Sequence, residues 1–111
     1  MADDALTPLS LALLVALGAG DLHGYALMRA VEERSGGRLS PGTGSLYAAL
    51  QRLMDEGLIV EAPDRPEDDD RRRRYYRITD QGKGAVAREA DRLERLMADA
   101  RSYGLIAAKG S

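Results

Sequence analysis

The chain has 111 residues, enough for one domain with a single hydrophobic core. Hydrophobic residues make up 44% of it and charged residues 31%, a balance typical of a globular protein rather than a disordered one. The formal net charge of −2 excludes a uniformly polycationic protein, but it leaves room for a local basic patch. Because the chain has no cysteine, it cannot form disulfides, which fits a cytoplasmic location.

Several functional classes are disfavoured by what the sequence lacks. The acidic start, MADDALTPLS, does not resemble a secretory signal, and the apolar stretch from Leu9 to Leu17 is shorter than the about 20 residues that span a membrane. With one histidine and no cysteine, a zinc site is a poor candidate. The glycines around Thr43 lack the lysine of a phosphate-binding loop, and no nucleophile lies in a recognisable pattern with a base. We therefore predict no enzyme, metal, cofactor or membrane partner.

Three helices are predicted in the first half of the chain. Thr7 and Pro8 form a capped helix start, and the apolar run after them predicts a central helix, or one buried against a partner subunit. The stretch HGYALMRAVEERSGG predicts the second helix, with His23 at its start. The third helix has an inward apolar stripe at helical spacing: Leu46, Leu50, Leu53 and Met54. Its outward arc holds Gly44, Ser45, Tyr47, Ala48, Gln51, Arg52 and Asp55.

Two strands and a long helix are predicted in the second half. LIVEA (58–62) and RRYYRIT (73–79) have strand composition and are joined by a charged loop, so they form a hairpin. Thr79 caps a last helix that extends to about Tyr103, although Gly82 and Gly84 weaken its first turn. This order predicts a mainly α fold with a small β-hairpin: a winged helix-turn-helix domain over residues 1–79 (wing loop about 63–72), then a C-terminal dimerisation helix and tail over 80–111.

In that fold the third helix enters the major groove of DNA, and its residues suit this task. Thr43, Gly44 and Ser45 are small or polar at the amino-terminal end, where the backbone approaches phosphates. On the outward arc, the phenol of Tyr47 can bond a phosphate, and the amide of Gln51 can pair with adenine. A glycine-rich turn with Tyr47 packed at the core edge is the alternative. The position directly before a hairpin favours the DNA-binding interpretation.

The charge run EDDDRRRR (67–74) has two interpretations. It is either a solvated linker or a loop whose basic half contacts a polyanion. Arginine forms bidentate bonds with phosphate and fits narrow minor grooves. The following strand should hold Arg73 and Arg74 in place, whereas Arg71 and Arg72 have more freedom. We predict DNA contacts from all four.

The last helix carries an apolar stripe that extends beyond a compact winged domain. A second copy of the chain is the simplest cover for it, although packing on the domain's own first helix is the alternative. The predicted dimer interface consists of Leu9, Leu13, Val86, Ala90, Leu93, Leu96, Met97 and Ala100. Outward positions hold Arg88, Glu89, Arg92, Glu94, Arg95 and Asp99, with Glu89 and Arg92 at pairing distance. A two-fold dimer predicts a pseudo-palindromic operator.

Three blocks of the sequence resemble the PadR family of transcriptional regulators. They are HGYALM (23–28), GSLYAALQRLMDEGLI (44–59) and RRYYRITDQGKGAV (73–86), in the family's order and covering nearly the whole chain. The middle block is the most specific. Ala48 departs from the family pattern, which usually has proline after the tyrosine, but this change removes no hydrogen-bond donor and no charge.

The resemblance implies a homodimeric winged-helix regulator, usually a repressor, that responds to small hydrophobic or phenolic effectors. It implies that Tyr25 and Tyr47 lie near phosphates of double-stranded DNA, and that the wing arginines reach the backbone or minor groove. An effector would bind between the first helices and the paired last helices. Because the chain has no tryptophan, the effector class stays open.

Two alternatives remain beside this prediction. Other winged-helix families, such as the MarR-like or ArsR-like regulators, share the fold, but the combination of GSLY with RRYYRIT disfavours them. A winged-helix module that binds a protein and no DNA is mildly favoured by the isoelectric point of about 5.4.

Overall fold

The computed structural model describes residues 6–63 and 73–108. Within these ranges lie four helices and three strands: α1 (Pro8–Leu17), β1 (Leu22–His23), α2 (Gly24–Arg34), α3 (Thr43–Asp55), β2 (Ile59–Glu61), β3 (Tyr75–Ile78) and α4 (Asp80–Ser102). The predicted mainly α architecture, with a β-hairpin before a long last helix, is confirmed. Most of the predicted wing loop, including Arg71 and Arg72, lies outside the described residues.

Hydroxyl side chains begin two of the helices, as the sequence predicts. The Thr7 hydroxyl accepts a hydrogen bond from the Ser10 amide at 3.0 Å, with Pro8 as the first helical residue of α1. The Thr79 hydroxyl accepts from the Gly82 amide at 3.0 Å and donates to the Gly57 carbonyl at 2.7 Å. Thr79 therefore joins the start of α4 to the turn that follows α3.

The sheet contains one strand more than the predicted hairpin. Its order is β1-β3-β2, with both neighbours antiparallel to β3. Leu22 and His23 of β1 lie opposite Tyr76 and Tyr75, and Ile59 of β2 lies opposite Ile78. A two-residue strand is too short to show an alternating pattern, which is why the sequence did not predict β1. Because β1 pairs with β3, the link between α1 and α2 belongs to the same sheet as the hairpin.

The core forms around α1, which confirms the prediction that this helix is central. Leu13 and Leu14 are fully buried, and α1 contacts α2, α3, α4 and β3. The sheet contributes Tyr76, whose burial raises the pKa of its phenol. The guanidinium of Arg74 lies 5.8 Å from the centre of that ring. β3 therefore carries a core residue on one face and the base of the predicted wing beside it.

A forked ion pair fixes the link between α1 and β1 against the sheet. Arg77 of β3 donates from Nε to Asp21 Oδ1 at 3.0 Å and from Nη2 to Asp21 Oδ2 at 2.7 Å. Two parallel bonds of this kind set the orientation of both side chains as well as their separation. The hydrogen bonds from Arg77 hold the pKa of Asp21 below its ordinary value.

The first turns of α4 pack against the domain, and this corrects one prediction. Glu89, predicted to be outward, is only 5% exposed. Its carboxylate accepts hydrogen bonds from Arg92, the predicted partner, and these hold its pKa below the ordinary value, as does a weaker contribution from the backbone of Leu6. The segment entering α1 thus reaches this side of α4, a contact that helical periodicity alone does not reveal.

Gly82 allows the closest approach between α4 and the hairpin. A β-carbon at this position would overlap the Leu58 carbonyl oxygen and lie 2.8 Å from Ile78 Cγ1. The Leu58 carbonyl also accepts the Thr79 amide at 3.0 Å, so it is held in place and cannot easily retreat. Glycine at position 82 is therefore a packing requirement, despite its low helix propensity.

We expect Gly82→Ala to lower the free energy of unfolding by about 1–3 kcal/mol, because the added methyl group overpacks the junction. Gly84→Ala is the matched control in the same helix, since a β-carbon there meets only the tip of Arg88, at 3.4 Å. This control should be neutral or stabilising by up to about 1 kcal/mol through helix propensity. Urea unfolding followed by circular dichroism measures both, and equal effects for the two variants would contradict the packing argument.

Candidate nucleic-acid interface

The two faces of α3 are separated as the sequence predicts. Leu46, Leu50 and Leu53 are buried, and Met54 is half-buried. The outward residues are all exposed: Thr43, Gly44, Ser45, Tyr47, Ala48, Gln51, Arg52 and Asp55. Gly42 precedes the helix and supplies no side-chain hydrogen bond to its first turn. The amino-terminal end of α3 therefore presents small residues and backbone amides to the outside.

Gln51 is engaged with a neighbour on its own helix. Its amide nitrogen donates to Asp55 Oδ1 at 2.9 Å. The bidentate pairing with adenine that we predicted needs this nitrogen as a donor, together with the amide oxygen as an acceptor. Asp55 therefore competes for the group that would distinguish this base.

The phenol of Tyr47 lies against the start of α2, where glycine leaves room for it. A β-carbon on Gly24 would overlap the Tyr47 hydroxyl and lie 2.8 Å from Cζ of the same ring. Gly24 is buried, whereas Tyr47 is partly exposed. Gly24, in the first of the three sequence blocks, thus leaves the space that Tyr47, in the second block, occupies. The sequence offers no signal for this contact.

Tyr25 projects from the first turn of α2 into solvent. It is among the exposed large side chains, and the Arg29 guanidinium lies 5.9 Å from its ring centre. Arg29 also lies 3.9 Å from Glu33, one turn farther along. A cation above the ring is attracted to the electron-rich face of that ring. The hydroxyl at the far end of Tyr25 remains available for polar contacts.

A shallow pocket brings the predicted phosphate contacts together. It has a volume of about 190 Å³ and is lined by His23, Gly24, Tyr25, Tyr47, Arg73 and Arg74. Four of these residues were predicted to contact DNA, whereas His23 and Gly24 were not. The His23 Nε2 atom lies 3.5 Å from Nη1 of Arg73. Because β1 pairs with β3, residues about fifty positions apart in sequence meet here.

Arg74 is anchored along the base of the wing. It donates to Glu61 Oε1 from Nη2 at 3.0 Å and from Nε at 3.3 Å. The hydrogen bond to Glu61 is the main reason that the pKa of Arg74 is raised. The carboxylate nevertheless offsets part of its field. Arg73, which precedes Arg74 in sequence, lies beside His23 in the same pocket.

The predicted dimer residues lie in two different environments. Leu13 is fully buried in the protomer's own core, so its side chain offers no surface to a partner. Leu9 and Val86 are half-buried against that core, and Leu93 and Ala100 are half-buried on α4. Ala90 is exposed, as are Leu96 at 53% and Met97 at 46%. Beyond them Tyr103, Leu105 and Ile106 are also exposed, so uncovered apolar surface is concentrated in the distal half of α4 and the turn after it.

Neither a metal centre nor a membrane span is found in the described part of the chain. Residues 6–63 and 73–108 contain no group of three or more histidine, cysteine, aspartate or glutamate side chains placed to hold a metal ion. No helix within those ranges combines the length and apolarity needed to cross a bilayer.

Comparisons with known proteins agree with this geometry. Residues 13–88 match the model of the transcriptional regulator PadR-like family. The chain is 40% identical over 76 residues to the transcriptional regulator Rv3488 of Mycobacterium tuberculosis, a match that covers 68% of this chain and 66% of the relative. Across the curated relatives, the matched segment covers between 22% and 66% of the relative's length.

Solved structures show the same architecture. A PadR family transcription regulator from Clostridium difficile superposes with a TM-score of 0.74 at 20% identity, over 87% of this chain and 98% of that one. PadR of Bacillus subtilis in complex with operator DNA superposes with a TM-score of 0.60 at 29% identity, over 71% of this chain and 44% of that one. The family consists of transcriptional regulators and not of enzymes, in agreement with the sequence prediction. Its sequence blocks, its winged-helix fold and the family match together place this chain in the PadR-like family of DNA-binding transcriptional regulators.

Proposed function

We propose that the protein acts in the cytoplasm as a homodimeric, sequence-specific repressor on a pseudo-palindromic operator, and that a small hydrophobic or phenolic effector releases it. The observation that carries the DNA-binding part is the pocket in which Tyr25, Tyr47, Arg73 and Arg74 converge beside the exposed face of α3. The Bacillus subtilis relative was solved with operator DNA, which supports the same type of partner for this chain.

The proposed contacts fall into two groups, one in the major groove and one on the phosphate backbone. The exposed arc of α3, from Thr43 to Gln51, enters the major groove, where its small first residues let the helix end approach a phosphate. The phenols and guanidinium groups of the pocket bind the phosphate backbone and set the register of the helix. Arg71 and Arg72 lie outside the described residues, and from the sequence we propose that they also contact the backbone or the minor groove.

The distal half of α4 supplies the dimer interface in this proposal. Exposed Leu96 and Met97, with Leu93 and Ala100 beside them, form a surface that one protomer leaves open to water. A two-fold copy buries this surface and places two α3 helices in successive major grooves, about one helical turn of DNA apart. The pseudo-palindromic operator follows from that symmetry.

The effector would bind where α1 and the paired α4 helices meet. Val15, exposed at 45% on the central helix α1, and Met97 are apolar groups available to such a ligand. With no tryptophan in the chain, the pocket would rely on aliphatic and methionine contacts, which adapt to ligands of different shape.

Salt dependence tests the DNA-binding proposal and separates it from the protein-interaction alternative. A phosphate-binding protein loses affinity with a log–log slope of about −0.9 per phosphate neutralised. We expect Arg73→Ala and Arg74→Ala each to reduce the slope by up to about 1.8, because the proposed dimer loses one phosphate contact in each protomer. Fluorescence anisotropy on the promoter of the protein's own or adjacent gene measures these slopes.

Arg95→Ala is the charge-matched control for this titration, since Arg95 is exposed on α4, away from the residues of the pocket. Its slope should equal that of the wild type. Salt-insensitive binding, or no binding at the neighbouring promoters, would refute the DNA-binding proposal and favour a protein partner.

A double-variant cycle tests whether Gly24 acts through Tyr47. Gly24→Ala should push the phenol out of the pocket at little cost in stability, because the displaced atom is the end of a partly exposed side chain. We expect Gly24→Ala and Tyr47→Ala to weaken operator binding by similar factors, and the double variant by no more than either one. Additive losses in anisotropy titrations would show that the two residues act independently.

Charge introduced on distal α4 tests the dimer. We expect the wild type to sediment as a dimer and Leu96→Glu to sediment as a monomer, because a carboxylate in the buried interface loses its hydration. Val60→Glu serves as the control, since Val60 is a similarly exposed apolar residue on β2 and should not affect association. Analytical ultracentrifugation at micromolar concentration measures the masses. A dimeric Leu96→Glu variant would place the interface elsewhere.

A further inference from the structure

His23 uses one of its ring nitrogens to begin α2. Its Nδ1 atom accepts a hydrogen bond from the Ala26 amide at 3.2 Å, the geometry of an N-cap. A ring nitrogen that accepts a hydrogen bond carries no hydrogen itself. In a neutral imidazole this bond favours the tautomer with the hydrogen on Nε2, whereas a hydrogen bond from Arg73 to Nε2 would favour the other tautomer.

The second nitrogen faces the pocket beside the phenols. The Nη1 atom of Arg73 lies 3.5 Å from it. In the tautomer that the cap favours, both Nε2 and Nη1 are donors, so neither accepts from the other. Two neighbouring donors suit an acceptor that brings several lone pairs, such as the oxygen atoms of a phosphate.

The orientation of the ring is held by the sheet. His23 of β1 lies opposite Tyr75 of β3, and the two rings meet edge to face, with centroids 5.4 Å apart and planes at 89°. The cap fixes one edge of the imidazole and Tyr75 fixes its face. Nε2 is consequently pre-positioned, and little rotamer freedom is lost when a ligand binds.

We propose that His23 donates its Nε2–H to a DNA phosphate that Arg73 also contacts, with the Tyr47 hydroxyl lining the same pocket. This inference rests on the proposed DNA-binding function, and it adds an imidazole N–H to the groups proposed to bind the phosphate. The arginine supplies the long-range attraction, whereas the imidazole supplies a directional bond that fixes where the phosphate lies. His23 thus links the start of α2, the wing and the DNA backbone.

Two substitutions separate the cap from the proposed contact. His23→Asn retains an N-cap acceptor near the position of Nδ1, because asparagine is among the best capping residues, but it does not reach the pocket. His23→Gln places an amide donor near the position of Nε2 at the expense of the cap. We expect His23→Asn to keep wild-type stability and to bind operator DNA roughly a hundredfold more weakly, because each of the two protomers loses one hydrogen bond to a charged acceptor, at roughly tenfold apiece.

The salt slope distinguishes this role from that of an arginine. Because an uncharged donor neutralises no phosphate charge, His23→Asn should lower affinity at every salt concentration without changing the slope. His23→Gln should recover part of the affinity while losing stability. Full wild-type affinity for His23→Asn overturns the proposal. A slope that falls by about 1.8 also overturns it, since that is the signature of one charge lost in each of the two protomers.

The tautomer can be observed directly, because the chain contains a single histidine. In long-range ¹H–¹⁵N spectra at about pH 8, we expect the DNA-free protein to show hydrogen on Nε2, and the Nε2 resonance to move when operator DNA is added. Inorganic phosphate alone serves as a second arm. Hydrogen on Nδ1 in the free protein overturns the proposal, as does an Nε2 resonance that responds to inorganic phosphate but not to DNA.

These outcomes separate the two proposals. If the wild type binds DNA with a steep salt slope while the Nε2 resonance does not move, the role of His23 fails and the DNA-binding function stands. If the wild type does not bind DNA at all, both fail.

Discussion

The central position of β3 is the constraint on which the interface depends. This four-residue strand pairs with β1 on one side and β2 on the other. The first pairing sets His23 beside Tyr75, and the second sets Glu61 beside Tyr76, next to the side chain of Arg74. The start of α2, the wing and the face of α3 then meet at one pocket. A register shift of one residue would turn Tyr76 from the core to the outside and would separate these groups.

Local pairing explains how an acidic chain keeps a basic binding surface. Asp21 holds Arg77, Glu61 holds Arg74, and Glu89 holds Arg92, so three carboxylates act on arginines that lie in or beside structural contacts. The net charge of −2 is a sum over the whole chain, whereas DNA meets only the field near the wing and α3. Arg73 and Arg74 both line the pocket and contribute to that field, although Glu61 offsets part of the charge of Arg74.

How much the sequence could predict depends on how far apart in sequence the contacting residues lie. Helical periodicity correctly separated the two faces of α3, because burial there repeats every turn and Leu46, Leu50 and Leu53 report it. Hydroxyl capping by Thr7 and Thr79 was equally predictable, since the cap bonds a residue three positions away. The two-residue β1 and the burial of Glu89 could not be predicted in this way. Each depends on a segment that is distant in sequence, β3 in one case and the chain near Leu6 in the other.

The glycines show most clearly that contacts between distant segments cannot be predicted from a sequence pattern. Gly82 and Gly84 look identical in sequence, as two weak residues in one helical turn. Only Gly82 faces the Leu58 carbonyl, and only Gly24 faces the Tyr47 ring. The space that a missing side chain leaves is defined by the atoms opposite it. A sequence pattern can locate such glycines, but it cannot tell which of them a neighbouring element requires.

The junction at Thr79 connects the two functional halves of the proposed regulator. Its amide donates to the Leu58 carbonyl, its hydroxyl donates to the Gly57 carbonyl, and the same hydroxyl accepts from the Gly82 amide. The turn after α3 and the first turn of α4 are thereby tied at one residue, with Gly82 packed against the same carbonyl. Packed junctions of this kind move as rigid units rather than deforming gradually. A change in the angle of α4 at the proposed dimer interface therefore has to be accommodated by the carboxyl end of α3, which carries proposed DNA contacts, or by β3, which directly follows Arg73 and Arg74.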